Sequence, residues 1–247
     1  MSSRTVTVFL CGDVMTGRGI DQILGHPSDS RLHEPYVLDA RDYVELAERA
    51  HGSIGRLAGC SYIWGDALEE LDRIRPDARI VNLETSVTRS EDYWRDKGIH
   101  YRMHPENVGC LTAAGMDLCI LANNHVLDFG WAGLLETLET LTKAGLKTAG
   151  AGQTREEAQR PAIIDLDHHA RLIVFGFGTE SSGIPGSWAA GDDTPGVALL
   201  ADLSERTASA IRQQVKAGVQ SAQEQGFPCS VYLLRHRDQA PCVRGIA

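Results

Sequence analysis

Apolar residues recur along the chain at two spacings, and each spacing predicts a kind of element. Short continuous apolar runs predict buried strands, at residues 5–11, 79–83, 117–122, 147–150 and 229–234. Apolar residues three or four positions apart predict amphipathic helices, at residues 40–51, 65–74, 105–114, 131–143 and 203–219. Two adjacent runs predict a hairpin, at residues 162–166 and 171–177. Strands that alternate with helices are typical of an α/β protein.

Length and composition indicate one domain. The chain has 247 residues, of which 43% are hydrophobic, and this is enough for a single large core. The formal charge of −9 argues against a nucleic-acid surface, because binding to phosphates needs a basic patch. We therefore expect one globular domain without a nucleic-acid partner.

The amino-terminal sequence favours a cytoplasmic protein. It enters the first predicted strand by Thr5, without the apolar core of a signal peptide and without a run that would span a bilayer. We therefore expect no membrane span. Cys11, Cys110 and Cys119 lie inside apolar segments, which favours reduced, buried thiols over disulfides.

The segment after the third predicted strand has the densest cluster of polar groups. The apolar residues 117–122 run into Asn123, Asn124 and His125, and Asp128 follows just before the predicted helix. In open α/β sheets, ligands bind at this carboxyl end of the strands. The alternative is a turn in which Asn and Asp cap the helix. A cap rarely needs two amides, an imidazole and a carboxylate, so the pattern favours a functional loop.

Two other strand ends carry carboxylates. Asp13 follows the first predicted strand, and Asn82 and Glu84 lie two positions apart at the end of the strand at 79–83. Because side chains alternate along a strand, Asn82 and Glu84 share one side, and we expect Glu84 to meet Asp13. Each carboxylate alone is equally well explained as a helix cap or a surface ion pair. Three such strand ends together predict one site.

The residue types at these strand ends suit a divalent metal. Carboxylates with an amide oxygen and an imidazole bind Mn²⁺, Mg²⁺, Fe or Zn²⁺, and one carboxylate can bridge two ions. Such a pair polarises a phosphoryl or carbonyl oxygen and activates a bound water, while a nearby histidine transfers a proton. The adjacent His168 and His169 also suggest a metal, but a solvated hairpin turn explains them better.

Three short motifs resemble those of a known family: Gly12-Asp13-Val14-Met15, Asn82-Leu83-Glu84, and Ala122-Asn123-Asn124-His125 with Asp128 and Gly130. In order and spacing, residues 5 to about 215 resemble the CapA family of capsule and poly-γ-glutamate biosynthesis proteins. The resemblance implies a calcineurin-like metallophosphatase fold, in which four layers, a β-sandwich flanked by helices, present a dinuclear metal site.

The same resemblance assigns roles to individual residues. It implies that Asp13, Glu84 and Asn124 are metal ligands. It also implies that His125 acts as an acid or contacts the transition state instead of binding metal. Asp128 is then expected to orient His125, as carboxylates behind a site commonly do.

The carboxyl-terminal part of the sequence departs from the family. Members continue with a strand that ends in His-Trp-Gly and with a later Gly-His-rich loop, so we place an incomplete CapA-type domain at 1–226 and an atypical tail at 227–247. His236 lies near the position of a family metal ligand, although Arg235 and Arg237 beside it disfavour a cation. A shortened natural variant and a frame shift or truncation both explain the departure, and the composition of the tail favours the second.

Two segments are candidates for substrate selection. Residues 97–105 gather Lys97, His100, Arg102 and His104 just before a helix, and either bind a carboxylate or phosphate or form a solvated hairpin. Residues 179–188 follow a strand end and either close over a ligand or form a surface loop.

Three functional hypotheses remain open at this point. The first is a metal-dependent enzyme of capsule or poly-γ-glutamate metabolism that hydrolyses, or transfers protons on, a peptide-like or phosphorylated substrate. An epimerase-type reaction on a peptide belongs to the same hypothesis. The second is a noncatalytic accessory subunit that partners a polymer synthase or export system. The third is an inactive remnant, which predicts poor solubility because a sheet without its last strands exposes an apolar edge.

Overall fold

The computed structural model describes residues 5–167, 170–227 and 229–235. His168, His169 and His236, which were discussed above as possible metal ligands, lie outside the described residues. The helices are α1 (Gly19–Ile23), α2 (Arg41–His51), α3 (Ala67–Ile74), α4 (Gly109–Ala113), α5 (Gly130–Lys143), α6 (Arg155–Gln159) and α7 (Glu205–Glu224). The strands are β1 (Val8–Val14), β2 (Ala78–Leu83), β3 (Ser86–Val87), β4 (Arg102–Met103), β5 (Leu118–Ile120), β6 (Lys147–Ala149), β7 (Ala151–Gly152), β8 (Ala162–Leu166), β9 (Ala170–Thr179), β10 (Gly196–Val197), β11 (Leu199–Leu200) and β12 (Cys229–Arg235).

The first sheet is parallel throughout and has the strand order β1-β2-β5-β6. Its inner strands β2 and β5 are largely buried. Helices connect one strand to the next and cover the sheet, which explains why these strands have continuous apolar sequences. Because neighbouring strands run in the same direction, the carboxyl ends of β1, β2 and β5 meet at one edge.

The second sheet is mixed. β8 pairs antiparallel with β9, which confirms the predicted hairpin strands, and β11 and β12 pair parallel with β9. The register of β12 runs from Cys229 opposite Arg171 to Arg235 opposite Phe177. This pairing confirms the strand predicted at residues 229–234. Two small ladders join β3 to β4 and β7 to β10.

Three apolar clusters show how these layers pack. The two sheets share one cluster, which includes Ile80 and Leu118 from the first sheet and Ile164 and Leu172 from the second. The other face of the first sheet packs with α3, α4 and α5, and the other face of the second packs with α6 and α7. Parallel strands, helices and two packed sheets confirm the predicted α/β class. No helix in the described ranges is long and apolar enough to cross a membrane.

The first strand and the helix predicted at 105–114 differ in the structure from their predictions. The first strand runs on to Val14, and its register with β2 shifts between Cys11 and Val14. Asp13, which has a φ of 35°, therefore lies in a bulge inside the strand rather than after it. The helix predicted at 105–114 is divided into a 3-10 turn over Pro105–Val108 and α4, since proline favours a tight first turn.

Candidate functional site

Three of the predicted polar strand ends meet at the carboxyl edge of the first sheet. Asn82 Nδ2 donates a hydrogen bond to Asp13 Oδ1 at 2.8 Å. Asn123 Nδ2 in turn donates to Asn82 Oδ1 at 3.1 Å and to the carbonyl oxygen of Leu83 at 2.9 Å. Asn82, which the sequence placed beside Glu84, is thus the residue that joins β1 to the loop after β5. Glu84 follows β2 directly and is 6% exposed.

His125 and Asp128 form a buried pair in the loop between β5 and α5. His125 Nδ1 lies 2.6 Å from Asp128 Oδ2, and Asp128 is completely buried. A carboxylate only accepts hydrogen bonds, so we assign the ring proton to Nδ1. His125 Nε2 is then the acceptor, and it lies 4.0 Å from Glu84 Oε1. The contact that an orienting role of Asp128 needs is therefore present.

Lys97 neutralises the buried carboxylate. Lys97 Nζ donates to Asp128 Oδ1 at 2.5 Å and also donates to the carbonyl oxygen of Asn124. The backbone N–H of Tyr101 donates to Asp128 Oδ2 at 2.7 Å. A buried charge needs such partners, because the loss of hydration is otherwise uncompensated.

The surroundings of His125 favour its neutral form. Burial lowers the pKa of His125, the hydrogen bond that its ring donates to Asp128 and the negative charge of Asp128 oppose that effect, and the positive charges of Lys97 and Arg18 add to the lowering. The Tyr101 ring packs against the imidazole, with 4.1 Å between ring centroids. A neutral imidazole with Nδ1 protonated presents Nε2 as a proton acceptor.

Backbone contacts fix the loop that carries His125. Asn123 Oδ1 accepts from the His125 N–H at 3.0 Å, and the buried Ser86 Oγ lies 2.8 Å from the His125 carbonyl oxygen and 3.0 Å from that of Val126. The Trp94 N–H donates to the Asp128 carbonyl oxygen at 2.8 Å. The loop is therefore held by β3 and by the segment before β4, not by its own sequence alone.

The segment at 97–105 is neither the solvated hairpin nor the open anion site that the sequence allowed. Lys97 turns inward to Asp128, and His100 is buried with Nε2 at 2.7 Å from the Trp94 carbonyl oxygen. Arg102 is also buried and donates to the Ser90 carbonyl oxygen at 2.9 Å. These three side chains already have protein partners, so the segment packs against the site instead of offering open cations to a ligand.

Residues 179–188 contact the site through their buried part, while residues 180, 181, 183, 186 and 187 are exposed. Trp188 is fully buried, and Lys97 Nζ lies 5.2 Å from the centroid of its ring. Gly183 has a φ of 78°, and a Cβ there would lie 3.3 Å from Asn124 Nδ2. A larger residue at Gly183 would therefore press on the predicted ligand Asn124.

The described residues supply only part of a metal site. Asp13, Glu84 and the amides of Asn82 and Asn124 provide oxygen donors of the kind that Mg²⁺ and Mn²⁺ prefer. Within residues 5–167, 170–227 and 229–235, however, no group of three or more His, Cys, Asp or Glu is placed to hold a metal ion. The donors present there do not by themselves fit the predicted dinuclear centre, and His236 lies outside the described residues.

Local sequence patterns could not reveal several residues of this site. Ser86, Lys97 and Tyr101 reach the His125 loop from segments that lie 24 to 40 positions earlier in the chain. Lys97 carried one signal, a cation in a segment rich in His and Arg, but this signal pointed to a ligand rather than to Asp128. Ser86 carried none, because a serine after a strand is common.

Comparison with known proteins places this site in a family context. The chain is 47% identical over 201 residues to the “Probable polyglutamine synthesis accessory protein” of Mycobacterium tuberculosis, which covers 81% of this chain and 53% of that protein. It is 32% identical over 117 residues to the PGA biosynthesis protein CapA of Bacillus subtilis, which covers 47% of this chain and 30% of that protein. The chain therefore spans about half the length of the mycobacterial relative.

A third relative is the capsule biosynthesis protein CapA of Bacillus anthracis, which is 34% identical over 82 residues, covering 33% of this chain and 20% of that protein. The family described as bacterial capsule synthesis protein PGA_cap matches residues 7–232, a range that begins in front of β1 and ends within β12. The resemblance to CapA that the three motifs indicated is confirmed. This chain belongs to the bacterial capsule synthesis protein PGA_cap family.

Proposed function

We propose that this chain acts in capsule or poly-γ-glutamate synthesis by transferring a proton at His125. Membership of the family supports the pathway, since two relatives carry the names PGA biosynthesis protein and capsule biosynthesis protein. The geometry around His125 supports the chemistry. The substrate in this proposal is peptide-like or phosphorylated, and a polymer synthase is the partner system.

The single observation that carries the proposal is the buried contact of His125 Nδ1 with Asp128 at 2.6 Å. The contact fixes one ring tautomer and directs Nε2 toward the strand ends, where Glu84 lies. Asp128 holds the ring, Lys97 balances the charge of Asp128, and Tyr101 covers one face of the imidazole. A neutral histidine oriented in this way accepts a proton from a substrate at Nε2 or, once charged, returns it.

A metal centre is a second part of this proposal. We propose Asp13, Glu84 and Asn124 as ligands of one or two divalent ions, with His236 as a further candidate. The support is the family resemblance, the oxygen donors and the order of helices, sheet, sheet and helices, which is the order expected of a calcineurin-like metallophosphatase. No step of the proton transfer above depends on these ions.

The alternative is a noncatalytic accessory subunit of a polymer synthase. The observation that favours it is the name of the mycobacterial relative, which describes an accessory protein. An accessory subunit needs the surface of the domain but not the imidazole of His125. The two hypotheses therefore differ in what a substitution at His125 does.

The discriminating experiment replaces His125 by Gln in a cell whose polymer synthesis depends on this chain. The matched control is Asp165→Asn, which changes an exposed carboxylate on the second sheet. We expect the His125 variant to lose polymer while its circular dichroism is unchanged, and the control to keep both. Full polymer yield from a folded His125→Gln variant would contradict proton transfer and favour the accessory role.

The metal is tested separately by elemental mass spectrometry after incubation with Mn²⁺ and desalting. We expect one or two equivalents per chain in the parent protein, and losses in Asp13→Ala and Glu84→Ala but not in Asp165→Asn. A parent protein without retained metal would contradict the metal part of the proposal and leave the role of His125 standing.

A further inference from the structure

An apolar cavity opens directly beside the candidate site. Its volume is about 260 Å³, and Ile23, Tyr43, Val44 and Tyr101 form much of its wall. Tyr101 is also the residue whose ring packs on His125. Tyr101 therefore contacts both the cavity and the imidazole that we propose as the proton-transfer group.

One cation belongs to this otherwise apolar wall. The guanidinium carbon of Arg18 lies 4.9 Å from the centroid of the Tyr43 ring and 4.7 Å from that of Tyr101. Arg18 Nε donates to Glu34 Oε1 at 2.7 Å, and Glu34 also accepts from the Tyr43 hydroxyl at 3.1 Å. Among the described residues, no group accepts a hydrogen bond from the two Nη atoms of Arg18. The aromatic rings and Glu34 therefore hold the guanidinium while leaving its terminal donors available.

Close neighbours hold the backbone around Arg18 in an uncommon conformation. Arg18 has a φ of 52°, an uncommon conformation for a residue with a side chain. A Cβ at Gly17 would lie 2.8 Å from the Arg102 backbone nitrogen, and a Cβ at Gly19 would lie 3.0 Å from Tyr43 Cβ. The two glycines let the chain pass between these neighbours, and the arginine between them is strained. Strain of this kind is concentrated at binding sites, where the surrounding structure maintains it.

We propose that this cavity binds a small carboxylate with an aliphatic body, its carboxylate on the Nη atoms of Arg18. The planar guanidinium matches a carboxylate in shape and charge, and the apolar wall matches methylene groups. This inference deepens the proposed function and rests on it where it identifies the ligand as substrate, because Tyr101 lines the cavity and also packs on His125.

The binding test uses hexanoate as the probe and hexan-1-ol as its uncharged match. The methyl resonances of Ile23 and Val44, followed by carbon-13 NMR, report on the cavity wall. We expect saturable shifts with hexanoate and about tenfold weaker binding of hexan-1-ol, since hydrogen bonds to charged groups typically contribute that much. Absence of saturable shifts at both methyls, or equal binding of the two probes, would overturn the proposal.

Two pairs of variants locate the binding. Arg18→Gln should weaken the binding of hexanoate about tenfold and leave the binding of hexan-1-ol unchanged. Arg95→Gln, which removes an arginine stacked on Tyr93 outside this cavity, should change the binding of neither probe. Ala47→Phe fills the cavity and should abolish the binding of both probes. Ala50→Phe, on the exposed side of α2, should leave the binding of both unchanged. Unchanged hexanoate binding in folded Ala47→Phe would place the probe elsewhere and refute the site.

Two further variants distinguish a failure of the cavity proposal from a failure of the proposed function. Arg18→Lys retains the charge without the planar fork and should bind hexanoate more weakly than the parent, which keeps the test available if Arg18→Gln fails to fold. His125→Gln should bind hexanoate as the parent does. If His125→Gln also makes full polymer, the proposed function fails while the cavity stands. If hexanoate does not bind the parent, the cavity fails while the role of His125 stands.

Discussion

The two sheets carry ionisable residues in opposite environments. At the carboxyl edge of the first sheet, Asp128 is fully buried beside Lys97, whose side chain is 15% exposed. On the second sheet, Asp165 pairs with Arg171 at a similar distance, 2.7 Å, but its side chain is 68% exposed. A buried ion pair commonly stabilises a fold no more than well-packed apolar residues would, because both charges lose their hydration. The buried charges of the first sheet are thus better explained by the orientation of His125 than by stability.

The second sheet has a different part in the same site. β9 ends at Thr179 in a turn that Ser182 closes, and Gly183 follows against Asn124. These groups are small and uncharged. The groups that could transfer protons thus lie at the edge of the first sheet, whereas the second sheet contributes a wall that shapes the site. The following predictions test that division.

The largest expected effect on stability comes from removing one member of each ion pair. Asp128→Ala leaves the Lys97 ammonium without its carboxylate in a largely buried place, and should reduce the free energy of unfolding by about 3–5 kcal/mol. Asp165→Ala should reduce the free energy of unfolding by less than about 1 kcal/mol, because the ion pair of Asp165 with Arg171 is exposed to solvent. Urea denaturation measures both. Equal costs would show that the two pairs do not differ as their burial indicates.

A smaller effect is expected from two buried hydroxyls. Ser86 Oγ holds the His125 loop, and Ser182 Oγ donates to the Thr179 carbonyl oxygen at 2.7 Å. Replacing either serine by Ala leaves buried carbonyl groups with fewer hydrogen-bond partners. It should reduce the free energy of unfolding by about 1–3 kcal/mol. Only Ser86→Ala should also shift the ring resonances of His125 in NMR spectra. A comparable shift in Ser182→Ala would weaken the division between the sheets.

The smallest perturbation is chemical modification of the cysteine thiols in the first sheet and its helices. Burial raises the pKa values of Cys110 and Cys119 to about 12, so both thiols are protonated and unreactive at pH 8. Cys60 is exposed. Ellman's reagent at pH 8 should therefore modify Cys60 in the native protein, and Cys110 and Cys119 only after urea is added. Rapid native modification of Cys119 would show that the first sheet opens without unfolding.

The sequence predicted the elements well because their signals are local. Apolar runs located β2 and β5, helical spacing located α2 and α5, and two adjacent apolar runs located the hairpin strands β8 and β9. Asn123, His125 and Asp128 were predictable for the same reason, since they lie within six residues of each other. Their mutual arrangement, with Nδ1 on Asp128, depends on a single turn of the chain.

The rest of the site depends on contacts between distant segments. Lys97 reaches Asp128 across 31 positions, and Ser86 reaches His125 across 39. The strained backbone of Arg18 depends on how Gly17 packs on Arg102, which no spacing within the sequence records. Residues 97–105 illustrate the limit, because their cations suggested a ligand site until the structure showed them paired inside the protein.

The central claim is that His125 transfers a proton. The most direct measurement is the rate of polymer synthesis in a cell-free extract that depends on the purified protein, with His125→Ala tested with and without added imidazole. The account predicts a loss of about a hundredfold or more and partial recovery that rises with imidazole concentration, since a free imidazole replaces the missing base. A folded His125→Ala protein that supports the parent rate without imidazole would contradict it.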